Sequence, residues 1–161
     1  RVRLSAAALA EIAPSPQADG VGVWGRWNAN GPGAARLIDL VGAGRSFTDL
    51  DSARPGDFLK IFWRDAVGKF ERGHLVVYLG KGSVDGEPGV RFWSSNQPGG
   101  YGEKVVPRSL IARMIFTRLD SPAAFAAVTE LPERDAYLST LLTAESSFAE
   151  ACRIVGATER P

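Results

Sequence analysis

The chain of 161 residues contains a single histidine, His74, whose imidazole is the side chain best suited to proton transfer near neutral pH. His74 follows Gly73 and precedes an apolar run, residues 75–79, that is typical of a buried strand. An imidazole at the start of such a strand can face a cleft while the strand anchors its backbone, as a general base requires. The alternative interpretation is a surface histidine that closes a hairpin.

The elements that would position His74 are two strands joined by a polar hairpin. The first strand follows the turn Arg54-Pro-Gly-Asp57 and runs through residues 58–63, and the second is the histidine strand itself. Asp57 stands at the entry to the first strand, where a carboxylate is expected to bond turn amides rather than to do acid–base work. Further strands are predicted at residues 90–96, 104–106 and 111–119, which gives about five strands.

Helical patterns lie before and after these strands. A short helix is predicted over residues 4–12, and a second over residues 34–41, with Asn30 as a possible cap, Pro32 in the first turn, and glycines at its end. Residues 122–131 and 133–155 also have helical spacing. This order predicts an α+β fold with a mainly antiparallel sheet. We expect one domain over residues 1–161, with an N-terminal helix and linker (1–22), a core (23–119) and C-terminal helices (120–161).

Composition argues against several classes of function. A formal net charge of +1 gives no reason to expect nucleic acid as a partner. One cysteine cannot form an internal disulfide or a thiolate cluster, so we expect no metal and no cofactor. No stretch approaches the roughly 20 apolar residues that span a bilayer, so no membrane span is expected. The oligomeric state is not predicted.

The order of these motifs resembles the papain-like cell-wall hydrolases of the NlpC type, a superfamily of cysteine peptidases and amidases that cut peptide stems of peptidoglycan. The resemblance covers roughly residues 23–96 and rests mainly on Arg54-Pro-Gly-Asp57 and Gly73-His-Leu-Val-Val-Tyr-Leu-Gly80. It implies a papain-like sheet with flanking helices. It also implies a peptide or peptidoglycan fragment as ligand.

The resemblance assigns chemical roles by position. His74 is similar to the family's general base, and one of Ser94, Ser95 and Asn96 falls where the family keeps a polar residue that orients the imidazole. The family's nucleophile is a cysteine in an Asp-Cys-Ser-Gly stretch, and aligning that stretch with residues 28–31 places Ala29 at the cysteine position. An alanine cannot attack a carbonyl.

Three explanations of Ala29 remain open. In the first, the protein has lost the hydrolytic activity naturally and has kept the binding groove. In the second, the alanine is an engineered replacement of the cysteine. In the third, Cys152 is the nucleophile. The last would resemble the circularly permuted relatives similar to lecithin retinol acyltransferase, which include acyltransferases and hydrolases. Cys152 lies late in its predicted helix, however, whereas reactive cysteines are usually found at helix N-termini. A small buried apolar side chain is the competing interpretation of Cys152.

A groove lined by aromatic residues is the basis of the second hypothesis, a non-catalytic module that binds peptidoglycan, sugar or a protein. Aromatic faces in a cleft bind sugar rings or apolar side chains. Core packing is the alternative for Trp63 and Trp93. The candidate binding residues are Trp24, Trp27, Asn28, Asn30, Trp93 and Tyr101.

The start of the chain bears on its location. It begins with Arg1 rather than methionine, so we expect that an upstream segment was removed by processing or by the design of the expressed chain. The family resemblance implies a secreted, periplasmic or cell-envelope protein.

Overall fold

The computed structural model describes residues 32–71, 73–97, 100–132 and 134–158. The predicted helix over residues 4–12 lies outside these ranges, as do Trp24, Trp27, Asn28, Ala29 and Asn30. Within the described ranges the fold is α+β with a mainly antiparallel sheet, as predicted, and the main sheet has six strands rather than about five.

The first described helix is α1, Gly33–Leu40, close to its predicted bounds. Its N-cap residue is Pro32, which was expected in the first turn, and no side chain caps the helix there. Gly42 ends it with a φ of 66°, a left-handed conformation that glycine adopts without steric cost. The amide of Ala43 donates to the Ile38 carbonyl at 2.9 Å, so the chain turns directly toward the sheet.

The main sheet has the strand order β1-β7-β2-β4-β5-β6. Its strands are β1 (Gly44–Phe47), β2 (Phe58–Phe62), β4 (Gly73–Val84), β5 (Glu87–Gln97), β6 (Gly100–Pro107) and β7 (Arg113–Leu119). A second, two-stranded sheet pairs β3 (Val67–Gly68) with β8 (Glu145–Ser146). Short 3₁₀ segments occupy Leu50–Ser52, Arg108–Leu110 and Pro122–Glu130.

Three predictions of local structure were wrong. The sequence predicts no strand before residue 58, yet Gly44–Phe47 form β1, which pairs with β7. The segment Pro122–Glu130 is a 3₁₀ helix instead of an α-helix. Residues 133–155 contain two short helices, α2 (Ala136–Thr140) and α3 (Phe148–Ile154), separated by β8. Asp135 and Ser147 cap α2 and α3 through their side chains, which fixes where each helix begins.

The two faces of the main sheet bury two separate clusters. On one face, here called the helix face, Phe62 and Ile115 pack with Leu37 of α1 and with residues of α2 and α3. On the other, here called the histidine face, Leu59, Ile61, Val76, Tyr78, Phe92 and Phe116 form the second cluster. Successive residues of a strand point to opposite faces, which is why Ile61 and Phe62 belong to different clusters.

No helix within the described ranges is long and apolar enough to cross a membrane.

Candidate functional site

The β2–β4 pairing places His74 on the histidine face of the sheet. His74 lies directly opposite Ile61, and residues opposite one another in an antiparallel pair project to the same face. Two residues further along β4, Val76 lies opposite Leu59 and is buried. The apolar alternation of β4 therefore anchors the strand and holds His74, half-buried, at its beginning.

The imidazole of His74 is paired with Ser94. The Nε2 atom of His74 lies 2.6 Å from the Oγ atom of Ser94, which is 2% exposed. Ser94, one of the three candidate orienting residues, thus contacts the imidazole. Ser95 is exposed on the opposite face, and Asn96 belongs to β5.

The electrostatic surroundings favour a neutral imidazole. Burial lowers the pKa of His74 below its ordinary value of 6.5, and the positive charges of Lys60 and then Lys104 lower it further. Lys104 lies opposite Phe92 in the β5–β6 pairing, on the histidine face. At neutral pH the site therefore combines an uncharged imidazole, which can accept a proton or a hydrogen bond, with the positive charge of Lys104. The charge of Lys60 is balanced by its ion-pair partner Glu71.

Gly73 allows a buried ion pair to approach the start of the histidine strand. Lys60 and Glu71 form this pair, and their side chains are 14% and 5% exposed. A Cβ atom at position 73 would lie 2.7 Å from Glu71 Oε1 and 2.9 Å from Lys60 Nζ, so a larger residue would displace the pair. Glu71 also accepts a hydrogen bond from the Gly68 amide at 3.1 Å. The backbone that precedes His74 is fixed by these contacts.

The turn that enters β2 is held by a second buried ion pair. Arg118 donates from Nε to Asp57 Oδ1 at 2.8 Å and from Nη2 to Asp57 Oδ2 at 2.7 Å. The Arg54 amide donates to the same carboxylate at 2.8 Å, which confirms that Asp57 bonds a turn amide. Its bidentate partner Arg118 could not be foreseen, because nothing in the sequence indicates which strand lies beside β2.

Cys152 lies on the other side of the sheet from His74. It is 2% exposed and packs in the helix-face cluster with Phe62 and Ile115, whereas His74 shares the histidine face with Ile61. The sheet thus separates the thiol from the imidazole. The interpretation of Cys152 as a small buried apolar side chain is confirmed.

The expected groove does not bring Trp93 and Tyr101 to His74. Trp93 lies opposite Val77, which belongs to the helix face, and the ring centroids of Trp93 and Tyr101 are 6.0 Å apart. Both rings therefore lie on the face opposite His74. The physical reason is the two-residue period of a strand, which turns Trp93 away from the face that its neighbour Ser94 occupies.

The position of α1 also bears on the expected nucleophile. Leu37 of α1 packs in the helix-face cluster, so the described helix lies across the sheet from His74. Ala29 precedes Gly33, the first residue of this helix, by four positions and lies outside the described residues, as do Trp24, Trp27, Asn28 and Asn30.

Two residues near His74 were missed by sequence reasoning, Lys60 and Lys104. Neither stands in a motif, and their effect on His74 depends on the register of β2 with β4 and of β5 with β6. Among the described residues, no group of three or more His, Cys, Asp or Glu side chains is placed to hold a metal ion.

No family model, curated protein or solved structure matches the chain.

Proposed function

We propose that this protein is a relative of the papain-like cell-wall hydrolases that has kept a histidine site without a nucleophile, and that it binds a peptide or peptidoglycan fragment there. The observation that carries the proposal is the contact of 2.6 Å between His74 Nε2 and Ser94 Oγ. A polar residue on the strand beside the histidine strand is what the family resemblance requires of an orienting group. An oriented imidazole can bind a ligand even when it has no thiol to activate.

Binding is favoured over hydrolysis because the candidate nucleophiles do not suit covalent catalysis. Ser94 is 2% exposed, which leaves little room for a substrate carbonyl to reach its Oγ atom. Cys152 is buried on the helix face. The position that the family alignment gives to the nucleophile is Ala29, whose methyl group has no lone pair.

The charges around His74 indicate the kind of ligand. Lys104 lies on the histidine face, and its ammonium group, which helps to lower the pKa of His74, would attract a carboxylate. The neutral imidazole can donate to or accept from an amide. A peptide with a free carboxylate meets both requirements. On the family resemblance, we place the protein outside the cytoplasm, in the cell envelope or secreted.

The experiment that tests this proposal restores the missing thiol. Purified wild-type protein and the variants Ala29→Cys and Ala29→Cys/His74→Gln are incubated with soluble peptidoglycan stem peptides, and the products are measured by mass spectrometry. We expect intact peptides with the wild type, and cleavage by Ala29→Cys alone would support the alignment of position 29 with the family's cysteine. Cleavage by the wild-type protein would contradict the proposal of binding without hydrolysis.

The same variants test the alignment of position 29 with the nucleophile. A neutral histidine beside a thiol can take its proton, so at pH 6 iodoacetamide should alkylate Ala29→Cys faster than free cysteine by about tenfold. The His74→Gln change should remove this acceleration. Equal rates in the two variants would show that position 29 does not face His74.

A further inference from the structure

The helix face of β5 and β6 carries an exposed aromatic pair that the proposed histidine site does not use. Trp93 is 41% exposed and Tyr101 is 78% exposed, and their rings are inclined by 37° with centroids 6.0 Å apart. Neither ring belongs to the helix-face cluster, although Trp93 lies on the same face. The two rings form an aromatic platform, named here the Trp93–Tyr101 platform.

The platform lies on the open part of the helix face. The helix α1 packs on β1 and β7, at the far side of the sheet from β6. β6 is the last strand of the main sheet within the described ranges. The exposure of the two rings leaves them accessible to a ligand.

A carboxylate stands beside the two rings. Glu103 lies directly opposite Trp93 in the β5–β6 pairing, which puts the Cβ atoms of the two residues about 4.5–5.5 Å apart on the same face. Glu103 is exposed, and none of the described residues donates a hydrogen bond to its carboxylate. The faces of aromatic rings attract cations, and an adjacent carboxylate adds to that attraction. The local chemistry thus suits a positively charged group.

We propose that the Trp93–Tyr101 platform binds an arginine side chain of an extended peptide partner. A planar guanidinium stacks on aromatic faces, and its N–H groups match the two oxygens of the Glu103 carboxylate. A like charge on this face is Arg91, whose Nη2 donates to the Leu79 carbonyl at 3.2 Å. Arg91 is two residues before Trp93 along β5, on the side away from Tyr101, so it leaves the platform accessible. This site is independent of the proposed function at His74.

The test compares two peptides that differ only in charge. Acetylated and amidated Ala-Ala-Arg-Ala-Ala, and the same peptide with citrulline in place of arginine, are titrated into ¹⁵N-labelled full-length protein. Shifts of the Trp93 indole N–H and of the Glu103 amide are followed by NMR. We expect the arginine peptide to shift both signals and to bind at least about fivefold more tightly than its neutral counterpart, because the guanidinium charge supplies the stacking attraction.

Three variants locate the interaction. Tyr101→Phe retains an aromatic face and should keep the affinity for the arginine peptide, whereas Tyr101→Leu and Glu103→Gln should each weaken it by about threefold or more. Both positions are exposed, so the fold should be retained, and far-UV circular dichroism checks this. Equal affinity for the two peptides, or equal affinity of Tyr101→Phe and Tyr101→Leu, would overturn the proposal.

A sugar is the competing occupant of an aromatic platform. A tetramer of N-acetylglucosamine is titrated under the same conditions. Shifts of Trp93 and Tyr101 by the sugar, with none by the arginine peptide, would overturn the proposal in favour of a glycan site. Absence of any shift with the arginine peptide would overturn it as well.

Discussion

The Nε2 atom of His74 lies 2.6 Å from the Oγ atom of Ser94, and the two residues belong to neighbouring strands of one sheet. Because Ser94 is almost completely buried, its hydroxyl is held in place by the packing of β5. The contact therefore restricts rotation of the imidazole ring.

Replacing Ser94 should disturb the imidazole directly. We expect Ser94→Ala to lower the free energy of unfolding by about 1 kcal/mol, the usual contribution of such a hydrogen bond. It should also change the ratio of the two neutral tautomers of His74, measured by ¹⁵N NMR of the ring. Ser95→Ala is the matched control, because Ser95 is exposed on the opposite face and should leave both quantities unchanged. An unchanged tautomer ratio in Ser94→Ala would contradict the orienting role.

The lowered pKa of His74 should appear in the pH dependence of stability. The unfolded chain takes up a proton near pH 6.5, whereas the native imidazole takes one up at lower pH because of burial and the two lysines. The stability from this group is therefore present above pH 6.5 and is lost as the pH falls through the native pKa. We expect the difference in unfolding free energy between wild type and His74→Gln to decrease over that window, measured by urea denaturation. A difference that grows on acidification would show that the native pKa is raised.

The Asp57–Arg118 ion pair should contribute more to the unfolding free energy than the Asp51–Lys81 ion pair. Asp57→Ala leaves the guanidinium of Arg118 largely buried without its carboxylate, and we expect a loss of about 3 kcal/mol in unfolding free energy. Asp51→Ala breaks an exposed pair with Lys81, which solvent screens, and should lower the unfolding free energy much less. Chemical denaturation of both variants measures the contrast. Equal losses of unfolding free energy in the two variants would contradict a larger contribution from the buried pair.

Cys152 should behave as a buried structural thiol. Its packing against the helix-face cluster predicts that a thiol reagent such as 5,5′-dithiobis(2-nitrobenzoate) labels the native protein at least about a hundredfold more slowly than the protein in urea. The variant Cys152→Ala should leave the NMR-measured pKa of His74 unchanged, because the sheet separates the two residues. Rapid labelling of the native protein, together with a shifted His74 pKa in the Cys152→Ala variant, would support Cys152 as the nucleophile.

The histidine hairpin could be predicted because its signals are local. β2 and β4 are apolar, β-branched runs bounded by Gly56 and Gly73, and their alternation is strong. The same two-residue period, applied to β5, separates Trp93 from Ser94 and would have excluded Trp93 from the histidine face. The sequence therefore contained a signal that the groove hypothesis did not use.

Other parts of the structure depend on contacts that are distant in the sequence. β1 contains one large apolar residue, Phe47, and is stabilised by pairing with β7, including a contact of 2.9 Å between Ser46 Oγ and Thr117 Oγ1. The break between α2 and α3 arises where β8 pairs with β3, about 80 residues earlier. Lys104 affects His74 only through strand register. Local propensity contains none of this information.

The measurement that tests the central proposal most directly is ¹⁵N NMR of the His74 imidazole during titration with a stem peptide that has a free carboxylate. The protein has one histidine, so the spectrum contains a single set of ring signals. We expect the ring nitrogens to shift in a saturable way, the peptide to remain intact, and Lys104→Gln to weaken binding through loss of positive potential. Cleavage of the peptide, or a titration that leaves the His74 signals unmoved, would contradict a binding site without a nucleophile at His74.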